Sequence, residues 1–308
     1  MTMQNRSIAL NLGVYVYGAA AIFLGVVGLV SGNFAVGWQH VGPNVPLREP
    51  LAYLAGLIEL AAGIALLAPR TARIGAVTLT AVYSVFTLLW APNALVDIIR
   101  QDYGFRLRYD ATGNVFEEFS MVAAGLVLCA ILLPAGSWVS RRQALFARVF
   151  VLCPISFGIE QISDTMRGLT GWIPKWLPPG QLFWAYATTI CFFLAAAAIL
   201  TGIMASLAAR LLTAEIVGFQ LLVWIPKLAA GPHEHFNWAG NGINLAIAAS
   251  VWVVADSISR AAKRKTAAEE SAAGAGSVAR AGGVRASKVH ELRLVSGRRN
   301  AARIHPAG

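Results

Sequence analysis

The sequence predicts an all-α membrane protein of about eight spans, arranged as two parallel four-helix transmembrane bundles. Three observations predict it: the composition, eight long apolar segments, and a set of landmark residues that occurs twice. Hydrophobic residues make up 57% of the 308 residues and charged residues 13%, whereas soluble domains have about 45–50% apolar and about 25% charged residues. So few charged side chains cannot cover a water-facing surface, which excludes an ordinary soluble domain.

Eight segments are long and apolar enough to cross a bilayer as helices, which takes about 20 residues at about 1.5 Å per residue. The first is longer than the apolar core of a signal peptide and is predicted to remain in the protein. The predicted spans are 13–32, 51–68, 74–91, 119–133, 147–163, 182–204, 207–225 and 238–255.

The landmark residues recur at a fixed distance along the chain. Four positions reappear 134 residues later: Phe23, Trp38, Trp90 and Pro92 as Phe157, Trp172, Trp224 and Pro226. "VFEEF" at 115–119 matches "PHEHF" at 232–236, and this shorter displacement is explained by an extra polar stretch at 97–113. The pattern predicts one four-helix unit at 13–134 with an outer-loop insertion at 97–113, and a second at 147–256. Units with an even number of spans run in the same orientation.

The segment 259–308 carries eleven Lys or Arg residues and three acidic ones. It lacks apolar periodicity, which predicts a disordered basic tail. Positive charge next to a span favours the cytoplasmic side, so both termini are predicted to be cytoplasmic. The tail's charges fit attraction to anionic lipid, and no nucleic-acid partner is predicted.

The second half resembles the DoxX-like family of bacterial integral membrane proteins. The similarity lies in "FGIEQISDTMRGLTGWIPKWLPPGQLFWAYATT", "LLVWIPKL" and "PHEHFNWAGNGINLAIAA", and the first half matches more weakly. The resemblance identifies the chain as a tandem, two-unit member, and it implies four-helix units in the bacterial inner (plasma) membrane.

For function, the resemblance implies a membrane subunit or scaffold, linked in some relatives to quinone-dependent redox metabolism, with a membrane redox subunit as partner. Two other functions stay open: a small-molecule or proton-coupled transporter or binding protein, and a quinone-linked oxidoreductase. The chain has no C-x-x-C, haem-attachment or dinucleotide motif, so no cofactor is evident apart from the quinone that the resemblance implies.

Two glutamates, Glu59 and Glu215, lie inside predicted spans. Ionisable groups in hydrocarbon are unfavourable by about 2.5–3.5 kcal/mol each on insertion scales, so they are candidates for function. One interpretation is a proton-carrying or substrate-binding carboxyl group. The other is a neutral acid that makes one interhelical hydrogen bond.

A second group of candidates lies at the predicted outer face. Its acidic and histidine residues would form a polar vestibule for a substrate or would simply be solvated, and the candidates are His40, Glu117, Glu118, Glu160, Asp164, His233, Glu234 and His235. Their spacing matches no metal-ligand motif, so no metal site is predicted. On the last span, Asn237, Asn241 and Asn244 form a polar stripe that predicts interhelical hydrogen bonds.

Overall fold

The computed structural model describes residues 12–100, 109–134, 136–163 and 170–301, with side chains to residue 271. Within these ranges the chain is helical with no strand, and eight helical segments are long and apolar enough to cross a membrane. The prediction of an all-α membrane protein of about eight spans is confirmed. The helices are α1 Leu12–Ser31, α2 Arg48–Leu67, α3 Ala72–Ile99, α4 Asp110–Leu132, α5 Gln143–Val149, α6 Leu152–Ser163, α7 Gln181–Thr201, α8 Ala205–Phe219, α9 Ile225–Ala230 and α10 His235–Ala301.

The first two helices cross at very short distance because glycines face each other. A Cβ atom on Gly25 would lie 2.5 Å from the Leu60 nitrogen and 2.6 Å from the Gly56 carbonyl oxygen. About two turns away along each helix, a Cβ atom on Gly63 would lie 2.8 Å from the Gly18 carbonyl oxygen. Small residues that let backbones approach are the common solution for helix packing in lipid. The helices α2, α3 and α4 then pack on one another in chain order.

Two of the later spans are interrupted. The fifth consists of α5 and α6, which meet at Phe150 and Val151 shortly before Pro154. The seventh consists of α8, a π-helical segment Gln220–Trp224 and α9, which has Pro226 in its first turn. Proline has no N–H to continue an α-helical ladder, and a π-helical turn is a usual adjustment next to such a position.

The two predicted bundles share one hydrophobic core. The helix α4 packs against α5 and α6, and the Gly13 side of α1 faces Trp252 and Val253 of α10. One continuous cluster of buried apolar residues includes Tyr17 from the first half of the chain and Phe192 from the second half. The compact body extends to Ser259.

The described residues of the insertion predicted at 97–113 belong mainly to two helices, and residues 101–108 lie outside the described part of the chain. The first residues of the insertion end α3 and its last residues begin α4, which starts nine residues before the predicted span. The carboxylate of Asp97 accepts hydrogen bonds from the backbone N–H groups of Ala111 (2.8 Å) and Thr112 (3.3 Å). Free N–H groups at a helix start need such acceptors, so Asp97 explains why α4 can begin early.

Residues 260–308 form a separate unit. Helix α10 continues in this unit to Ala301, and the disorder of the basic tail stays a prediction. Alanine, lysine, arginine and glutamate are strong helix formers, and this composition supports a helix without an apolar face. Within this unit Lys265 and Glu269 form an i,i+4 ion pair at 3.9 Å.

Candidate functional site

A cavity of about 360 Å³ lies among α4, α6, α8 and α10, next to the loop that follows α1. Aromatic side chains form much of its lining: Trp38, Phe157, Trp172, Phe192, Phe219, Trp224 and Phe236. Its acidic lining residues are Asp110, Glu117 and Glu160, and Gln161 and Asn244 add amide groups. No Lys, Arg or His occurs among the described residues that line it. The volume is within the range of small-molecule sites.

Tryptophans from both halves of the chain meet at this cavity. Trp38 stacks on Phe236 with ring centroids 5.2 Å apart, and it contacts Trp224 edge-on at 5.6 Å. Trp172 lies 5.4 Å from Trp224 on the other side. The indole N–H of Trp90 donates to the Trp38 carbonyl oxygen. Three of the landmark tryptophans therefore form one aromatic cluster with Phe236, and we call this cluster the aromatic wall: Trp38, Trp172, Trp224 and Phe236.

The ammonium group of Lys227 lies against the aromatic wall. Nζ of Lys227 lies 3.6 Å from the Trp172 ring centroid, 4.9 Å from Phe236 and 5.6 Å from Trp224. A cation within about 6 Å of an aromatic face is attracted by the ring quadrupole. The wall thus has the geometry needed to hold an ammonium ion.

Two carboxyl groups of the lining are held by specific neighbours. The indole N–H of Trp38 donates to Oε2 of Glu117 at 2.5 Å. The carboxyl group of Glu160 lies against Gly113, where a Cβ atom would be 2.7 Å from its carboxyl carbon. Because residue 113 is glycine and has no Cβ atom, the Glu160 carboxyl group can occupy this space.

Tyr109 lies just before α4 and close to Glu160. Its hydroxyl donates to Ser156 Oγ at 3.1 Å, which ties the start of α4 to α6. Partial burial, with a smaller effect of the Glu160 charge, raises the pKa of Tyr109, and the hydrogen bond to Ser156 opposes this rise. The phenol is therefore neutral at physiological pH and serves as a hydrogen-bond donor at this edge of the cavity.

A second polar group lies deeper, among α1 to α4, and we call it the acidic chamber: Tyr17, Glu59, Tyr83 and Glu118. All four side chains are at most 2% exposed. Gln39 donates to Oε1 of Glu59 at 2.8 Å. Both carboxyl oxygens of Glu118 are buried without a hydrogen-bond partner.

The tyrosines hold the chamber together. The Tyr17 hydroxyl donates to the Met121 carbonyl oxygen at 2.8 Å. The Tyr17 and Tyr83 rings contact edge-to-face at 6.3 Å. Glu118 is within electrostatic range of both Glu59 and Glu117.

The asparagine stripe of α10 makes the interhelical hydrogen bonds that the sequence predicts. Asn241 donates to the Trp224 carbonyl oxygen at 2.8 Å and accepts from Gln220 at 2.7 Å. Asn244 donates to the Ile216 carbonyl oxygen and to Gln220, and Asn237 donates to the Gly231 carbonyl oxygen. This prediction is confirmed. The π-helical residues Gln220 and Trp224 supply part of the network, because their altered turn leaves backbone carbonyls available.

Glu215 belongs neither to the lining of the cavity nor to the acidic chamber. It lies in an apolar groove of about 830 Å³ between α7 and α8, together with Cys191. Its Oε1 is buried without a hydrogen-bond partner. Glu59 and Glu215, which the sequence treats as one class, therefore have different surroundings.

The predicted outer-face group divides among several places. His233 and Glu234 are exposed. His235 bonds the Phe34 carbonyl oxygen at 2.9 Å, and His40 bonds Asn93 at 2.8 Å, so both contribute to loop structure. Asp164 lies outside the described residues. Within the described ranges, no group of three or more His, Cys, Asp or Glu residues could hold a metal ion.

Sequence reasoning missed Gln39, Tyr17 and Lys227. Gln39 and Tyr17 face buried carboxyl-bearing helices, and nothing in their local sequence marks them. The neighbours of Gln39 give a partial signal, because Trp38 is one of the recurring landmarks. Lys227 directly follows the landmark Pro226.

Comparisons of the chain with protein-family models, with curated proteins and with solved structures find no match. The site therefore has to be interpreted from its own geometry.

Proposed function

We propose that this multi-pass membrane protein binds a small organic cation with an apolar body, and that the cavity against the aromatic wall is the binding site. The observation that carries the proposal is the composition of the lining, which combines aromatic rings with carboxyl side chains such as Glu117. Such a lining attracts positive charge.

The position of Lys227 supports the same ligand class. Its ammonium group contacts three of the rings that line the cavity. A ligand ammonium ion on the cavity side of these rings would meet the same quadrupole, with Glu117 as a counter-charge. Because the rings come from both halves of the chain, a bound ligand would contact both.

The test uses the full-length protein in lipid nanodiscs with benzyltrimethylammonium as the probe. Calorimetry is expected to show saturable binding, and benzenesulfonate, of similar shape and opposite charge, is expected not to bind. Glu117→Gln is expected to lower the affinity about tenfold, because it removes a counter-charge from a desolvated site.

Glu234→Gln is the matched control, because Glu234 is the counterpart of Glu117 in the recurring pattern but is exposed. It is expected to leave the affinity unchanged. Equal binding of both probes, or no binding of either, would contradict the proposal. A thermal shift with a short-chain quinone and none with the ammonium would instead favour the quinone-linked subunit that the DoxX-like resemblance implies.

A further inference from the structure

The acidic chamber and the cavity are joined at a single pair of residues on α4. Glu117 lines the cavity, whereas Glu118 is 0% exposed and belongs to the chamber. Consecutive residues of an α-helix point about 100° apart. The two carboxyl groups therefore lie on different sides of the same helix.

The loop after α1 makes a second connection between the two places. Trp38 donates to Glu117, and the next residue, Gln39, donates to Glu59. The Gln39 side chain also accepts from the Ala35 N–H at 3.0 Å, which fixes it to its own loop. A ligand that shifts Trp38 in the aromatic wall would act on Glu59 through this loop.

Among the described residues, no basic side chain is found to interact with the acidic groups of the chamber. The titratable groups within electrostatic range of Glu118 are Tyr17 from α1, Glu59 from α2, Tyr83 from α3 and Glu117 from α4 itself. The one ion pair found in the described part of the chain is Lys265–Glu269, in the separate unit 260–308. Buried carboxylates need a compensating positive charge. Since the described residues offer no metal site either, a proton is the cation that fits.

The unpartnered oxygens of Glu118 distinguish the chamber from a structural network. Buried carboxyl oxygens are normally hydrogen-bonded, and a native exception calls for an explanation in function or in an exchanging ligand. Glu59 keeps one fixed donor, whereas Glu118 has none.

We propose that Glu118, which is buried without a hydrogen-bond partner and within electrostatic range of Glu59, holds an exchangeable proton that is released when a cation occupies the neighbouring cavity. In this step the carboxyl O–H bond breaks, the proton passes to solvent water, and the carboxylate that remains compensates the charge of the bound cation. The coupling rests on the proposed function of the cavity, and it makes the protein suited to exchange an organic cation for a proton.

The first experiment measures the affinity for benzyltrimethylammonium between about pH 6 and about pH 8. With one proton released per cation bound, affinity rises about tenfold per pH unit while the chamber is protonated. In the double variant Glu59→Gln/Glu118→Gln, binding is expected to persist and the pH dependence to fall close to zero. Glu234→Gln keeps the wild-type slope. A double variant that also keeps it would place the titration at Glu117 and overturn the proposal.

The second experiment needs no ligand. Infrared spectra of the protein in nanodiscs are expected to show a protonated-carboxyl band near neutral pH that loses intensity in the double variant and keeps its intensity in Glu234→Gln, since Glu215 is unchanged in both variants and can contribute to the same band. No band in the wild-type protein, or an unchanged band in the double variant, would overturn the proposal by itself. If the band loses intensity in the double variant and the ammonium probe does not bind, the proton site stands, while the proposed function and the coupling fail.

Discussion

The two halves of the molecule place different polar groups between their helices. Between α8 and α10 the polar groups are amides, and Asn241, Asn244 and Gln220 satisfy one another and nearby carbonyls. Between α1 and α4 they are carboxyl groups, and Glu118 has no partner. An amide both donates and accepts, so a closed network can form from protein atoms alone. A carboxylate only accepts, so the first half depends on a proton or another cation for completion.

The halves also differ in how their first two spans pack. In the first half, Gly25 and Gly56 bring the backbones of α1 and α2 together. In the second half, Gly158 of α6 faces the Phe193 ring of α7. Backbone atoms cannot move aside, whereas a side chain can repack. The first half is therefore the more rigid frame around its unsatisfied carboxyl groups.

The largest expected effect tests this packing difference. Gly25→Ala places a methyl group 2.5 Å from the Leu60 nitrogen, and we expect a loss of about 3 kcal/mol in stability, at the upper end for overpacking. Gly158→Ala meets only the Phe193 ring and is expected to lose about 1 kcal/mol. Denaturant unfolding in mixed micelles measures both. Gly218→Ala, with no atom within 4 Å of the added methyl group, controls for helix propensity. Equal losses at Gly25 and Gly158 would refute the difference.

The next effect separates a structural network from a functional one. Asn241→Ala removes three interhelical and intrahelical hydrogen bonds and is expected to lower the free energy of unfolding by about 2 kcal/mol. Glu118→Leu removes an unpartnered buried carboxyl group and is expected to be neutral or to stabilise by about 1 kcal/mol. The same unfolding assay compares them. Strong destabilisation by Glu118→Leu would show that Glu118 has a structural role.

The smallest effect concerns the start of α4. Asp97→Ala removes the acceptor of the Ala111 and Thr112 N–H groups, and loss of such a cap is worth about 1 kcal/mol. Hydrogen exchange at these two amides is expected to become about fivefold faster, because local opening requires less free energy. Amides near the centre of α4, such as that of Ala124, serve as the internal reference. Unchanged exchange at residues 111 and 112 would mean that the early start of α4 does not depend on Asp97.

Local sequence patterns were sufficient to predict the membrane spans and the asparagine stripe of α10. The lengths of the apolar segments predicted eight membrane spans, because the hydrocarbon thickness and the rise of a helix fix the length that a span needs. The asparagines of α10 recur about once per turn, so their shared face follows from helix geometry alone. The start of α4 did not follow, because the acceptor that permits it, Asp97, comes from another helix.

By itself the sequence determined an eight-span helical membrane protein and drew attention to Glu59, Glu117 and Glu118 as separate candidates. Only the tertiary structure decided that Glu118 comes within electrostatic range of Glu59 and of Glu117, that Trp38 bonds Glu117 and Gln39 bonds Glu59, and that Glu215 lies apart in its groove. The physical reason is that helix formation depends on neighbours along the chain, whereas the surroundings of a buried charge depend on which helices pack together.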